Sequence, residues 1–403
     1  MTIQSGTINS SVSKVQTAVV AKTTTRLDYL DSLRAILIIL VIALHTAITY
    51  GASGDWTYED PGQSEIAGIL LTLVTASVQS FSMGLYFFIS GYFTPGSYDR
   101  KGLLRFWGER LLRLGIPLIV YTFALSRIPV YFAGRAYGHV TSSFWEFFGS
   151  TFISGADEGP TWFIFALLLF LIGYTVWRLA TRSNAHKKPA EANLLKVPGK
   201  RGILTLGVVV GVLMFVVGLK SGIGEIIEVF GIFNLMTIFF VQYILFFILG
   251  TLAYRNDWVR RFNGKDLRVW TWLSVGLFLL MPVLFFLGGA ASGSTDVFVG
   301  GLYWQSAAFM LWVGLFSVSM SMTLILGLRD RQKPRSSLMK FAGPNSYGVY
   351  LIHPLILVPL SVAARNIALP PLLKFAIVLP IVVILCFLVA DALRRIPGVK
   401  SIL

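Results

Sequence analysis

The stretch of sequence that decides the fold is residues 31–45, DSLRAILIILVIALH. It contains Asp31 and Arg34, continues through ten apolar residues and ends on His45. The eleven steps from Arg34 to His45 cover about 16 Å of helix axis, which predicts Arg34 at a membrane surface and His45 near mid-depth. An ionisable side chain at that depth is costly and indicates a functional group. A histidine that only hydrogen-bonds a neighbouring helix would give the same pattern.

The composition of the whole chain agrees with a membrane protein. Hydrophobic residues make up 55% of the sequence and charged residues 13%, and apolar runs long enough to span a bilayer recur throughout. We therefore predict an all-α, multi-pass integral membrane protein. The net charge of +15 does not indicate nucleic-acid binding, because the basic residues recur in short loops between apolar runs. The single cysteine, Cys386, lies in an apolar run, so we expect neither an intrachain disulfide nor a cysteine-based metal site.

Hydropathy divides the chain into a tail and a single polytopic domain. Residues 1–25 are polar and predict a disordered cytoplasmic tail, with no signal peptide, and residues 26–403 are predicted to form one transmembrane domain. Gln79, Ser80 and Gly84 predict a tilt or a break in the second span. The ten predicted spans are 33–50, 66–93, 113–134, 160–180, 203–221, 232–254, 269–290, 302–327, 342–361 and 371–391.

The loops predict the orientation of these spans. With a cytoplasmic N-terminus, 29 of the 34 lysines and arginines fall on the cytoplasmic side. Basic residues are enriched in cytoplasmic loops, so both termini are predicted to be cytoplasmic. The five remaining basic residues are Arg127, Arg135, Lys220, Arg365 and Lys374.

Two of the four histidines fall inside predicted spans. His139 and His186 lie in loops, whereas His45 and His353 each lie about eleven residues past the cytoplasmic edge of an outward-running span. The two intramembrane histidines are therefore predicted to share one depth. Two histidines at one level favour a functional site over coincidence.

A basic cluster, RKGLLRFWGERLLR, occupies residues 100–113 on the cytoplasmic side. Arg110 and Arg113 are three residues apart, so on a helix they share a face and form a fork for phosphate groups. The alternative is that this amphipathic segment only contacts anionic membrane lipids.

These elements together resemble the membrane-bound acyltransferase 3 family. The resemblance rests on RLDYLDSLRAILIILVIALH at 26–45 with its Arg-x10-His spacing, LYFFISGYF at 85–93, RLLR at 110–113, PTWFIFALL at 160–168 and NSYGVYLIHP at 345–354. The family includes enzymes that O-acetylate surface polysaccharides and enzymes that succinylate periplasmic glucans. The match covers the first nine predicted spans in order.

The resemblance implies an acyl-CoA donor, acetyl-CoA or succinyl-CoA, in the cytoplasm and a glycan or small-molecule acceptor reached from the outer side of the plasma membrane. It implies that activity depends on Arg34 and His45 and on Arg110 and Arg113. The remaining residues that we predict from it are Arg105 for the donor, Ser90, Tyr92, Trp162 and Tyr347 for substrate, and His353 beside His45. No inward carboxylate partner for His45 is evident, because Asp31 pairs more naturally with Arg34.

The predicted residues suit the transfer of an acyl group from coenzyme A. The basic cluster and Arg34 would hold the phosphates of coenzyme A while the pantetheine arm carries the thioester inward. Neutral His45 would take the proton of the acceptor hydroxyl, or would itself accept the acyl group first, and the sequence does not separate these routes. A transporter with proton-carrying histidines and a membrane sensor without chemistry are the competing hypotheses. The acyl group, the acceptor and the oligomeric state cannot be read from the sequence.

Overall fold

The computed structural model describes residues 28–62, 64–152, 154–181, 194–290, 296–330 and 336–402. The predicted tail of residues 1–25 and His186 lie outside these ranges. The described chain is helical apart from its loops and one hairpin, which confirms an all-α polytopic membrane protein.

The first half of the chain contains the helices that carry the predicted site residues. Its elements are α1 (Asp28–Thr49), α2 (Glu65–Arg110), π1 (Leu111–Gly115), α3 (Ile116–Val120), π2 (Tyr121–Leu125), α4 (Arg127–Ala136), α5 (Phe144–Thr151) and α6 (Trp162–Ala180).

The second half contains six long helices, a short β-hairpin and two short helices. Its elements are α7 (Lys200–Gly218), β1 (Ile226–Val229), β2 (Phe233–Met236), α8 (Thr237–Arg255), α9 (Trp258–Arg261), α10 (Leu267–Leu287), α11 (Trp304–Arg329), α12 (Ser337–Ala363), α13 (Pro371–Arg395) and α14 (Val399–Ile402).

Nine segments of the described chain are long and apolar enough to cross a membrane, against ten predicted spans. The difference arises in residues 65–136, which form one continuous helical segment. Gly102 interrupts it with φ +70° and ψ 174°, a conformation open to glycine because it has no Cβ. The two arms on either side of Gly102 account for the second and third predicted spans.

Contacts at both ends show that the second arm runs alongside α12. The Tyr347 hydroxyl donates to the carbonyl of Arg113 at 2.6 Å, and Arg365 donates to the carbonyl of Ala136 at 2.9 Å. Residues 113–136 and 347–365 are therefore parallel. Below, "inner" means the end with Arg113 and Tyr347, predicted to be cytoplasmic, and "outer" means the opposite end.

The predicted break near Gly84 is wrong, since α2 is helical through this region and departs from helical geometry at Gly102. The polar and small residues near Gly84 instead form a contact with α8. Gln242 donates to the carbonyl of Ser80 at 2.7 Å, and its side chain packs against Gly84. A helix–helix contact in a membrane uses small and polar residues for the same reasons that made this stretch resemble a break.

The predicted sixth span, residues 232–254, begins too early. Residues 233–236 are strand β2, which pairs antiparallel with β1 in a short outer hairpin, and α8 starts at Thr237. Strand and helix were confused because Phe233, Leu235 and Met236 continue the apolar run without a Gly or Pro between them.

The closest helix pair is α2 with α8, and two glycines permit it. A Cβ at Gly91 would lie 2.1 Å from the Phe247 carbonyl oxygen, and one at Gly250 would lie 2.1 Å from that of Phe88. Such crossings bring backbones together and replace the hydrophobic driving force that lipid does not supply. Gly91, which lies between Ser90 and Tyr92, is therefore required for the packing of α2 against α8.

Candidate active site

The two intramembrane histidines lie together. The ring centroids of His45 on α1 and His353 on α12 are 5.3 Å apart with planes 21° from parallel. Trp56, from the loop between α1 and α2, stacks on His45 at 3.8 Å and lies 6.0 Å from His353. The equal spacing of the histidines from their helix starts, noted in the sequence, thus corresponds to a real contact.

The position of His45 along its helix differs from the expectation of mid-depth. His45 is seventeen residues from Asp28 and four from Thr49, so it lies about 26 Å from the inner end of α1 and about 6 Å from the outer end. Sequence hydropathy placed the helix start at residue 33, whereas the helix begins five residues earlier. His45 is therefore nearer to the outer end of the molecule than to the inner end.

His353 has a defined hydrogen bond. Pro354 lacks the N–H that would bond the carbonyl of Tyr350, and the freed carbonyl oxygen lies 2.7 Å from Nδ1 of His353. A carbonyl oxygen only accepts, so in this pair Nδ1 donates and Nε2 carries the lone pair. Nε2 is buried without a partner among the described residues.

His45 differs from His353 in exposure. His353 is fully buried, whereas the His45 side chain is partly exposed, so a ligand can reach it. Its Nδ1 is buried, and no described residue provides a hydrogen bond to it. The carboxylate partner that the sequence failed to identify is not found among the described residues either. Asp31 instead pairs with Arg34 at 3.5 Å, as the spacing suggested.

Arg34 lies eleven residues before His45 on the same unbroken helix. Its guanidinium carbon is 4.9 Å from the centroid of the Phe93 ring, a cation–π contact with the aromatic residue that follows the SGY stretch. The Tyr86 hydroxyl donates to the carbonyl of Arg34 at 3.0 Å. α2 therefore holds α1 in place on both sides of the arginine.

The arginines of the basic cluster have different neighbours. Arg110 and Arg113 lie close enough to Arg34 for the positive charges to repel one another. Arg105, predicted to bind the donor, is instead 77% exposed and paired with Glu109 at 3.3 Å. The structure thus brings three of the four predicted donor residues together at the inner end.

A row of aromatic residues leads from the inner arginines to the histidines. Tyr347, whose hydroxyl bonds the carbonyl of Arg113, lies 6.2 Å from Tyr350, and Tyr350 lies 6.5 Å from His353. Phe163 is 6.0 Å from Tyr350 and 5.8 Å from Tyr86. Tyr347 was predicted from the sequence, but Tyr86 and Tyr350 were not, since nothing in an isolated helix shows which tyrosine faces a neighbouring helix.

The other predicted substrate residues lie away from the histidine pair. Trp162 stacks on Tyr243 at 5.6 Å, Tyr92 is buried edge-on against Tyr254 at 5.5 Å, and the Ser90 carbonyl accepts from Thr94. The structure gives Trp162, Ser90 and Tyr92 packing contacts with their neighbours on α2 and α8. It brings none of the three into ring contact with His45.

Glu158, on the outer side of the molecule, has a buried carboxyl group. It accepts a hydrogen bond from the backbone N–H of Asn234 in β2 at 3.1 Å, which ties the hairpin to the start of α6. Burial raises the pKa of Glu158 to about 6. Within the described residues, no group of three or more His, Cys, Asp or Glu side chains is arranged to hold a metal ion.

Comparison with known proteins gives a consistent result. A family model described as an acyltransferase domain, of the acyltransferase 3 type, matches residues 27–391. Curated proteins named "Glucans biosynthesis protein C" from Salmonella schwarzengrund (strain CVM19633), Salmonella paratyphi B and Salmonella enteritidis PT4 are each 26% identical over 344 residues, covering 81% of this chain and 80% of theirs. No solved structure matches significantly.

Proposed function

The chain belongs to the membrane-bound acyltransferase 3 family, and on that premise we propose that it transfers an acyl group from cytoplasmic acyl-CoA to a hydroxyl or amine of a glycan at the outer side of the plasma membrane. The observation that carries the proposal is the placement of Arg34 and His45 on one helix. Arg110 and Arg113 adjoin the first, and His353 and Trp56 adjoin the second.

The inner arginines would bind the donor. Coenzyme A carries several phosphate charges, and guanidinium groups bind phosphate through paired, charge-assisted hydrogen bonds. Arg34, Arg110 and Arg113 repel one another, so an anion among them would relieve that repulsion. About 16 Å of α1 separates Arg34 from His45, and the slender pantetheine arm would cross this distance along Tyr347, Tyr350 and Phe163.

The chemistry would take place at His45. A neutral His45 takes the proton of the acceptor hydroxyl as its oxygen attacks the thioester carbonyl. The carbon–sulfur bond then breaks, and the proton passes to the departing thiolate, so that an ester and free coenzyme A result. Base catalysis of this kind contributes about 10² to 10⁴ in rate. His353, held through Nδ1 by the Tyr350 carbonyl, would support the His45 ring and keep its Nε2 available as an acceptor.

The name of the curated relatives, which refers to glucans, supports a glycan acceptor. We propose a glucan or a related glycan as acceptor and acetyl or succinyl as the acyl group.

The test is transfer by the purified full-length chain in lipid nanodiscs. Acetyl-CoA and succinyl-CoA with labelled acyl groups are supplied with glucan oligosaccharides, and label on the glycan is measured. Transfer with either donor supports the proposal, and absence of transfer with both contradicts it. Acid-quenched protein that carries label would support an acyl-histidine intermediate, whereas label on the glycan alone supports direct transfer.

A transporter would need a path through the membrane, such as a broken second span near Gly84 would line. Because α2 is helical there, this feature does not support the transporter hypothesis. The same labelled donors separate the hypotheses, because a transporter moves its cargo without covalent transfer and a sensor does neither.

A further inference from the structure

Buried polar atoms without a partner are concentrated on the outer side of the histidine pair. Of the fifteen such side-chain atoms in the described residues, seven lie here. An unpaired buried polar group costs about 1 to 3 kcal/mol, so native structures keep few of them. We call these seven atoms the outer polar cluster: His45 Nδ1, His353 Nε2, Trp56 Nε1, the hydroxyls of Tyr50, Tyr58 and Ser361, and Asp60 Oδ1.

The loop that supplies most of this cluster is firmly held. The backbone N–H of Ser53 donates to Thr72 at 2.9 Å, that of Glu59 to the Tyr137 hydroxyl at 2.7 Å, and that of Asp60 to the Thr49 carbonyl at 2.8 Å. The loop is therefore fixed to α1, to α2 and to the outer end of α4. Its unpaired atoms have defined positions.

A buried ion pair fixes the carboxylate of the cluster. Asp60 and Lys374 are 3% and 6% exposed, and Nζ lies 2.6 Å from Oδ2. Lys374 also donates to the Arg365 carbonyl at 3.2 Å. Removing two charges from water is expensive, and such a pair alone adds little stability. Here the pair leaves Oδ1 of Asp60 free while its charge is neutralised.

The hydroxyls of the cluster lie around this carboxylate. Tyr50 and Tyr58 both lie within electrostatic reach of Asp60, and the hydroxyls of Tyr50 and Ser361 adjoin each other outside hydrogen-bond geometry. Trp56 packs against the small apolar cluster formed by Tyr58, Ala133 and Val358. The atoms thus extend outward from His45 in one continuous region.

The chemistry of these groups selects the ligand. The cluster has a donor in the Trp56 N–H, an acceptor in Asp60 and three hydroxyls that do both, and Lys374 neutralises the charge of Asp60. Sugar hydroxyls also donate and accept. An anion would meet the free oxygen of Asp60, and a cation would meet Lys374. The partly exposed Trp56 ring adds an apolar surface for the C–H face of a sugar ring.

From this we infer that the outer polar cluster is the acceptor subsite and takes a neutral sugar residue, with Trp56 as the stacking platform and Asp60 as the group that orients a sugar hydroxyl toward His45. The inference rests on the proposed function and deepens it. Lys374 is a positioning residue, since it holds Asp60 and leaves Oδ1 available.

The first experiment replaces Trp56 in the full-length protein in nanodiscs. Trp56→Ala is expected to raise KM for a glucan oligosaccharide about tenfold, because a ring contact is lost, while Trp56→Phe keeps KM within about threefold. The Kd for acyl-CoA stays at the wild-type value, because the proposed donor-phosphate site lies about 16 Å from His45 along α1. The matched control is Trp145→Ala, at another outer tryptophan, 76% exposed on α5, which is expected to leave KM for the glucan and Kd for acyl-CoA unchanged.

The second experiment tests the ion pair. Asp60→Asn leaves Lys374 unpaired and is expected to reduce folded protein. The double variant Asp60→Leu with Lys374→Met removes both charges together, so it is expected to fold and to bind acyl-CoA normally. Its KM for the glucan should rise as far as that of Trp56→Ala. An unchanged KM in the folded double variant overturns the role of Asp60.

Direct binding separates this inference from the proposed function. Calorimetry with the glucan oligosaccharide alone, without donor, should detect binding to the wild type and lose it in Trp56→Ala. That result holds whether or not acyl transfer occurs. If Trp56→Ala instead lowers kcat and acyl-CoA hydrolysis together with unchanged sugar binding, Trp56 merely supports the His45 ring and the subsite is overturned.

Discussion

Two buried polar clusters at opposite ends of the molecule have opposite hydrogen-bond states. The inner polar cluster consists of Asp99, Arg178, Arg255 and Tyr174. Both carboxylate oxygens of Asp99 receive guanidinium N–H groups, at 2.6 to 3.1 Å, and both arginines also reach the Tyr174 hydroxyl. Within the described residues only Nε of Arg178 remains unpaired in this cluster, whereas seven atoms of the outer polar cluster do.

The difference teaches where to look for function in a membrane protein. The inner polar cluster connects α2, α6 and α8 and is paired at every described side-chain polar atom except Nε of Arg178, so its role is to hold helices together. Unpaired buried polar atoms cost free energy, and a ligand or a water molecule that hydrogen-bonds to them offsets this cost. Charge alone would have selected the inner cluster, and hydrogen-bond state selects the outer one.

The sharpest test of this contrast is removal of His45. His45→Ala should lower acyl transfer by about 10² to 10⁴ while acyl-CoA binding and protein level stay near normal, because the proposed site for the donor phosphates is about 16 Å away. The matched variant is His353→Ala, which should lower transfer only in part or reduce folded protein, since His353 caps the Tyr350 carbonyl. Near wild-type transfer by His45→Ala would contradict the mechanism.

The inner polar cluster should respond in the opposite way. Asp99→Asn leaves two buried arginines without a charged partner and should cost about 3 to 5 kcal/mol of stability. The expected result is a lower Tm of the protein in nanodiscs, with unchanged KM for donor and acceptor in the fraction that stays folded. A normal Tm with altered KM would mean that the paired cluster also serves the reaction.

The inner arginines allow a smaller and more selective effect. Replacing Arg110 and Arg113 together by Ala should weaken acyl-CoA binding at least about tenfold, because each charged hydrogen bond contributes about 1.5 to 3 kcal/mol. Binding of a short thioester without the nucleotide should hardly change, and Lys at both positions should restore charge but not the fork geometry.

Two variants control the arginine experiment. Arg395→Ala removes an inner arginine that is 79% exposed and paired with Asp391, and it should leave donor binding unchanged. Arg105→Ala should have a smaller effect than the double variant, since Arg105 is engaged with Glu109. Equal losses for acyl-CoA and the short thioester would return Arg110 and Arg113 to the role of lipid anchors.

The sequence predicted the all-α polytopic architecture well because hydropathy reports directly on helices that span a membrane. It also predicted that His45 and His353 share a level, since equal numbers of helical residues give equal heights. It could not predict Trp56 or Asp60, because a loop of polar and aromatic residues has no periodicity that shows which side chains fold back. It misread Gly84 and residues 233–236, where packing and pairing between distant segments decide the conformation.

Glu158 lies between the two extremes of the comparison, since its buried carboxyl accepts from the Asn234 N–H on the outer side and, within the described residues, has no salt bridge to a basic side chain. Burial raises its pKa from 4.5 to about 6, and the neighbouring Asp157 adds to the shift, so the folded protein binds this proton more tightly than the unfolded chain does. Its contribution to stability is therefore complete below about pH 4.5 and is lost as the pH rises through about 6. Tm should rise modestly as the pH is lowered across this window. Glu158→Gln keeps an acceptor for the Asn234 N–H but should abolish this rise. Glu146→Gln is the control: hydrogen bonds from Ser143 lower the pKa of Glu146, so its titration falls below the window. An unchanged slope in Glu158→Gln would show that the carboxyl stays ionised in the folded protein.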